Sequence, residues 1–182
     1  MYYTEDAIMD TFWSLLEEMT YNQISVRKIV DRCKISRSSC YYHYQDIPSL
    51  LNSSLEKSVD EIIRKYGHFG TPMDCIEPIV QLISDRQVAF LHIYHSVERE
   101  SFLENLDRLC LHIVTAYVKS VLKKESIDPE VRLTLTRFYK SVLVGVTLDW
   151  LQSDLQYDMS HHCAWICKCF SEMAQQAFFE PR

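Results

Sequence analysis

Three glycines and five prolines are all that can break a helix in 182 residues. Two of the glycines fall together in Y-G-H-F-G-T-P, residues 66–72, which reads as a joint between two domains. Long helices follow on either side. Apolar residues make up 47% of the chain, enough to give those helices a core to bury. No stretch alternates polar and apolar residues between turn signals, as a half-buried strand would. The expected fold class is therefore all-α.

Helical spacing places the elements. Ile8, Phe12, Leu15, Leu16 and Met19 form the apolar stripe of a first helix, for which Thr4 is the expected N-cap. A second helix starts at Ser25, with Val26, Ile29, Val30 and Cys33 on one face. Ser36 caps a third, and Asp46 with Pro48 opens a fourth that runs through Leu51, Leu55 and Ile62 towards Tyr66. Beyond the joint, the expected helices are Met73–Asp85, Val88–His95, Phe102–Lys124, Pro129–Leu151 and Ser160–Phe179.

The second and third helices are separated only by Lys34 and Ile35, the spacing of a helix-turn-helix. In the third, S-R-S-S-C-Y-Y-H-Y, Cys40 and Tyr44 lie on the side that can pack on the second helix. Arg37 and Tyr41 share another side, with Ser38, Tyr42 and His43 nearby. These outward groups suit DNA, since arginine can grip guanine bidentately and hydroxyls and imidazole reach phosphates or base edges. Ordinary surface aromatics are the competing explanation. The charge distribution favours DNA. Net charge is −6, yet residues 22–66 carry eight bases and five acids, whereas residues 1–21 carry five acids and no base. A basic island in an acidic chain is a local electrostatic footprint.

I-S-V-R-K-I-V-D-R-C-K-I-S-R-S-S-C-Y-Y-H-Y-Q-D-I-P-S-L-L resembles the DNA-binding segment of TetR-family transcriptional regulators, closely over residues 5–56. F-Y-K-S-V-L-V-G-V-T-L-D-W-L is similar to the penultimate helix of their ligand and dimerisation domain, and the dihydroxyacetone-kinase regulators are the nearest subgroup. The resemblance implies phosphate or base contacts from Ser25, Arg27, Arg37, Ser38, Ser39, Tyr41, Tyr42 and His43. It further implies a homodimer on a palindromic double-stranded operator, with a repressor released by a small effector. The chain departs from the family at two points. Lys34 stands where the turn usually has glycine, so it must sit left-handed or strained, or the turn must be reshaped. Ile47 stands where a phosphate-binding lysine usually opens the fourth helix.

The implied domains are a three-helix DNA-binding domain, residues 1–66, and a helical effector and dimerisation domain, residues 67–182. Phe90, Tyr94, Phe102, Tyr117, Phe138, Tyr139 and Trp150 are candidate pocket lining, with His92, His95 and His112 as polar handles, so an apolar or aromatic effector is expected. Aromatics at helical spacing are more often core than pocket. Leu135, Phe138, Val142 and Val146 form an apolar stripe beside Gly145. With Ala164, Cys167, Phe170, Ala174 and Ala177 on the last helix, it is expected to pair with a second copy.

Other function classes fare less well. His161, His162, Cys163, Cys167 and Cys169 are potential metal ligands, but one helix face cannot hold them all, so no metal or other cofactor is expected. A thiol- or metal-responsive sensor, and a coactivator working through a protein partner, remain alternatives. Neither G-x-S-x-G nor H-E-x-x-H occurs, and three glycines cannot furnish a phosphate-cradling loop, so an enzyme is not expected. The absence of a long apolar run and of a basic leader leads to an expected cytoplasmic location with no membrane partner.

Overall fold

The computed structural model describes residues 2–66, 69–121 and 128–168, and these contain helices and no strand. The helices are α1 (Tyr2–Glu18), α2 (Val26–Cys33), α3 (Arg37–His43), α4 (Ile47–Tyr66), α5 (Met73–Ser84), α6 (Gln87–Tyr94), α7 (Arg99–Val121) and α8 (Pro129–Gln152). A further helix, α9, covers residues 159–168. They form two compact units that interleave along the chain. One comprises residues 1–61 and 83–109, the other residues 62–82 and 110–182.

In the first unit, Ile8, Phe12 and Leu16 of α1 are fully buried. Trp13 lies against Phe12 and, at 5.5 Å, against Phe90 of α6, with the Arg86 guanidinium 4.7 Å over its ring. The His92 ring nitrogen Nδ1 is 2.8 Å from the Leu16 carbonyl, so α6 is tied to α1 by packing and by a polar contact. A polar clasp joins α4 to α7. The buried Asn105 amide donates to Asn52 (2.6 Å) and to the Ser101 carbonyl, while Arg108 donates to the Asn105 carbonyl oxygen and pairs with Glu56. Thr4 lies inside α1 and is not its cap, because the helix already begins at Tyr2. The apolar stripe begins only at Ile8, so the residues of the first turn gave no periodic signal to mark that start.

The second unit is built on α5, the C-terminal half of α7, α8 and α9. Asp74 opens α5 by accepting from the backbone N–H groups of Gly70 and Thr71, which hold its carboxyl below the usual carboxylate range. Asp128 caps α8, accepting from Glu130 N–H at 2.8 Å. The α8–α9 elbow contains two consecutive left-handed residues, Asp154 and Leu155. It is braced by the Trp150 indole, which donates to the Tyr157 carbonyl, and by the Tyr157 hydroxyl, which donates to Asp149. Helix α7 starts three residues before the expected Phe102, because Arg99, Glu100 and Ser101 carry no apolar signal. The expected extensions of α7 to Lys124 and of α9 to Phe179 lie partly outside the described residues.

Candidate nucleic-acid interface and ligand cavity

Capping sets the geometry of the helix-turn-helix. The Ser25 hydroxyl accepts from Lys28 N–H at 3.4 Å, and the Ser36 hydroxyl from Ser39 N–H at 3.1 Å. Asp46 and Ser49 cap α4 reciprocally, each side chain accepting from the other's backbone N–H. Between α2 and α3, Lys34 is left-handed, with φ 56° and ψ 43°. Its N–H and that of Ile35 both return to the Val30 carbonyl. The lysine thus adopts the conformation that a glycine would take without cost.

Below α3 the packing is closed. Ile29, Val30, Cys40 and Tyr44 are buried, and the Tyr44 hydroxyl reaches Glu5 of α1 at 3.3 Å. Burial, reinforced by Glu5, pushes that phenol's pKa above its ordinary value. The Cys33 thiol contacts the Thr11 hydroxyl at 3.0 Å, again linking α2 to α1. Burial likewise raises the Cys40 thiol.

Above α3 the opposite holds. Tyr42 is 71% exposed and Tyr41 54%, and Arg37 and Ser38 are exposed beside them. Ser39 and His43 are half-buried, His43 with its ring edge-on to Tyr42 at 5.2 Å. On α2, Ser25 is occupied as a cap, and Arg27 is exposed in a surface ion pair with Asp31. The basic island is only partly free. Arg32 makes a bidentate pair with Glu18 at 2.7 and 2.9 Å, and the Lys28 ammonium donates to the Gln23 carbonyl. Within the helix-turn-helix itself, residues 25–44, Lys34 and Arg37 are the cations without a partner among the described residues. Ile47 is half-buried at the head of α4.

The second unit encloses an apolar cavity of about 420 Å³, within the range of small-molecule sites. Helix α5 and the residue before it contribute Pro72, Cys75 and Ile76, and α7 contributes Val114 and Tyr117. Helix α8 provides Leu135, Phe138, Tyr139, Val142, Leu143 and Val146, and α9 provides Cys163, Ile166 and Cys167. Tyr117 and Tyr139 stand edge to face, with ring centroids 5.4 Å apart. Of the residues singled out in the sequence, Tyr117, Phe138 and Tyr139 are therefore brought together here.

The others lie elsewhere. Phe90, Tyr94 and Phe102 are buried in the first unit, where the Tyr94 hydroxyl accepts from Arg99 at 2.6 Å. Trp150 is buried in the α8–α9 elbow. His92 faces the Leu16 carbonyl, and His95 and His112 are exposed. The aliphatic and thiol lining was missed because Leu135, Val142, Val146 and Cys167 read equally well as a dimer stripe. Cys163 and Cys167, one helical turn apart, were the available signal of a single wall.

The histidines and cysteines of α9 diverge. His161 accepts from the Trp165 indole, His162 stands edge-on to Tyr157, and the buried Cys163 thiol contacts the Met159 sulfur. Among the described residues no three His, Cys, Asp or Glu side chains are placed to hold a metal ion. Cys169, Phe170, Ala174 and Ala177 lie outside the described residues. No described helix is long and apolar enough to cross a membrane.

The full-length fold has known counterparts. The solved structure of the dihydroxyacetone kinase operon activator DhaS superposes with a TM-score of 0.76 at 18% identity, each chain covered in full. The regulator FadR from Bacillus subtilis, in complex with stearoyl-CoA, superposes at 0.59 with 17% identity, covering 89% of this chain and 95% of that one. FadR from Bacillus halodurans gives 0.53 at 15%, covering 86% and 88%. Among curated proteins none matches in sequence. The sequence profile of the TetR-type transcriptional regulator C-terminal region matches residues 70–164, more than half of the chain. That stretch runs from α5 into α9 and includes the cavity lining except Ile166 and Cys167, while a capped helix-turn-helix precedes it; this chain belongs to the TetR-type transcriptional regulators, not to an enzyme family.

Proposed function

We propose that the protein is a cytoplasmic homodimer that reads a palindromic operator with residues 1–66 and dimerises and binds an apolar effector through residues 67–182. The observation that carries this reading is the two-sidedness of α3. Cys40 and Tyr44 fix the helix from below, while Arg37, Tyr41 and Tyr42 project outward with no hydrogen bond or ion pair among the described residues. A rigid helix presenting unsatisfied donors suits a major groove, where arginine discriminates guanine and hydroxyls hold phosphates. Ser25, Arg27, Ser38, Ser39 and His43 complete the proposed contact set, with Arg27 leaving Asp31 for a phosphate.

Two protomers are needed because half-sites lie about 34–36 Å apart on one face of DNA. The outer edge of α8 supports pairing there. Phe138 is 44% exposed, and no atom lies within 4 Å of the position a Cβ on Gly145 would take. The apolar cavity supports the effector, as does the acyl-CoA carried by the FadR structure of similar fold. An effector that favours poorly spaced reading heads releases a repressor by linkage.

A second reading, activation through a protein partner, draws on the full-length likeness to a protein named as an operon activator. Gel-shift selection from genomic DNA, with light scattering on the same sample, tests both. A dimer that retards a palindromic fragment is expected. A monomer at micromolar concentration, or equal affinity for all fragments, overturns the proposal. The sign of regulation follows from a reporter placed behind the selected fragment.

A further inference from the structure

The cavity in the second unit differs from most ligand sites in what its wall omits. Among the described residues its fourteen lining residues include no aspartate, glutamate, lysine, arginine or histidine. Hydrogen-bonding capacity is concentrated in two phenols, Tyr117 and Tyr139, standing edge to face with ring centroids 5.4 Å apart. Each hydroxyl has one O–H to donate and lone pairs to accept. The pair can therefore be completed by a single carbonyl or hydroxyl from a guest.

We propose that the effector is an electrically neutral, largely hydrocarbon molecule bearing one hydroxyl or carbonyl, read by the Tyr117–Tyr139 pair. This rests on the cavity being the effector site, as proposed above. A carboxylate or ammonium inside would lose its water and meet no counter-charge on the wall, a penalty that hydrocarbon contacts cannot refund selectively. A neutral hydroxyl loses far less, and regains a partner in the tyrosine pair.

The wall stays neutral at physiological pH. Burial pushes the Cys75 thiol up to about 12 and the Cys163 thiol up to about 11, and raises Cys167 and Tyr117 as well. Protonated thiols are poor nucleophiles and poor metal ligands, so they act in this site as small, polarisable apolar groups. The Cys75 thiol is further occupied by a contact to the Pro72 carbonyl at 3.0 Å.

Three probes with the same ten-carbon chain test the inference: 1-decanol, decanoate and decylamine, titrated calorimetrically at pH 7 into the full-length protein without DNA. Decanol is expected to bind at least about tenfold more tightly than either ion. Tyr139→Phe and Tyr117→Phe, each removing only a hydroxyl, should weaken decanol by about 3- to 10-fold, with melting temperature checking that the fold is kept. Val142→Trp, which fills the cavity, should abolish binding. Decanoate or decylamine binding as tightly as decanol overturns the neutral-ligand inference while leaving the cavity a ligand site. Unchanged decanol affinity in both tyrosine variants overturns the handle, and unchanged affinity in Val142→Trp overturns the location. Silence from all three probes removes the cavity as a ligand site altogether, and this inference with it.

Discussion

The outward face of α3 and the cavity of the second unit are opposite ways of building a recognition surface. The first is convex, polar and made from a handful of residues adjacent in sequence. The second is concave, uncharged and assembled from four helices that span residues 72–167. In the first, the proposed specificity rests on donors that protrude from a solid core. In the second, it rests on a void that the core leaves unfilled. A polar tip tolerates change in its neighbours as long as its helix stays fixed, whereas a void is defined only by its neighbours.

The most forceful way to break that contrast is to cut into both. Ile29 is fully buried beneath the reading helix, so Ile29→Ala should cost about 2–5 kcal/mol by opening a new cavity. Val146 is half-buried and already faces empty space, so Val146→Ala should cost only about 1 kcal/mol, the transfer of its methyls alone. Equal losses in chemical denaturation would mean that the wall is as tightly packed as the head. Next comes Arg37→Ala, expected to lose about 1–3 kcal/mol per half-site on cognate DNA and less on random DNA. Equal loss on both sequences in a competition gel shift would reduce Arg37 to a phosphate contact.

Lys34→Gly divides stability from binding. Relief of the left-handed lysine should raise stability by about 1 kcal/mol, read by denaturant midpoint. If Lys34 stands in for the phosphate anchor missing at Ile47, the salt dependence of DNA affinity should flatten by about 0.9 log units per protomer. The smallest effect belongs to Tyr42→Phe. Loss of one hydroxyl that bonds to nothing among the described residues should leave melting unchanged and weaken all DNA by about 0.5–1.5 kcal/mol. Any shift in melting would show that the outward ring is part of the packing after all.

The same contrast explains what could be read before a structure existed. Caps are local chemistry, so Ser25, Ser36 and Asp46 were legible from single residues and their neighbours. The inward turn of Cys40 and Tyr44 needed only the helical repeat. Lys34 was legible as a backbone anomaly only through the resemblance, because it stands where the family's turn usually has glycine. The cavity was not legible in this way. Phe90 and Tyr117 have the same helical spacing pattern, yet one closes on Trp13 and the other borders a void. Periodicity says that a side chain turns inward, and only the opposing helices decide whether anything meets it. Thr4 failed for a simpler reason: a helix can begin before its apolar stripe does.

The internal ties of Arg32 to Glu18 and of Lys28 to Gln23 bear on kinetics as well as structure. The first offsets the charge of Arg32, whereas Lys28 on a neutral carbonyl keeps its own, on a chain whose net charge is −6. With five acids in the first 21 residues, such a chain is no polycation. A DNA duplex repels it in most approaches and draws it in through one. Its encounters with DNA should therefore be oriented but infrequent, and its stays on unrelated sequence brief. A regulator of this kind finds its site slowly and makes few false stops on the way.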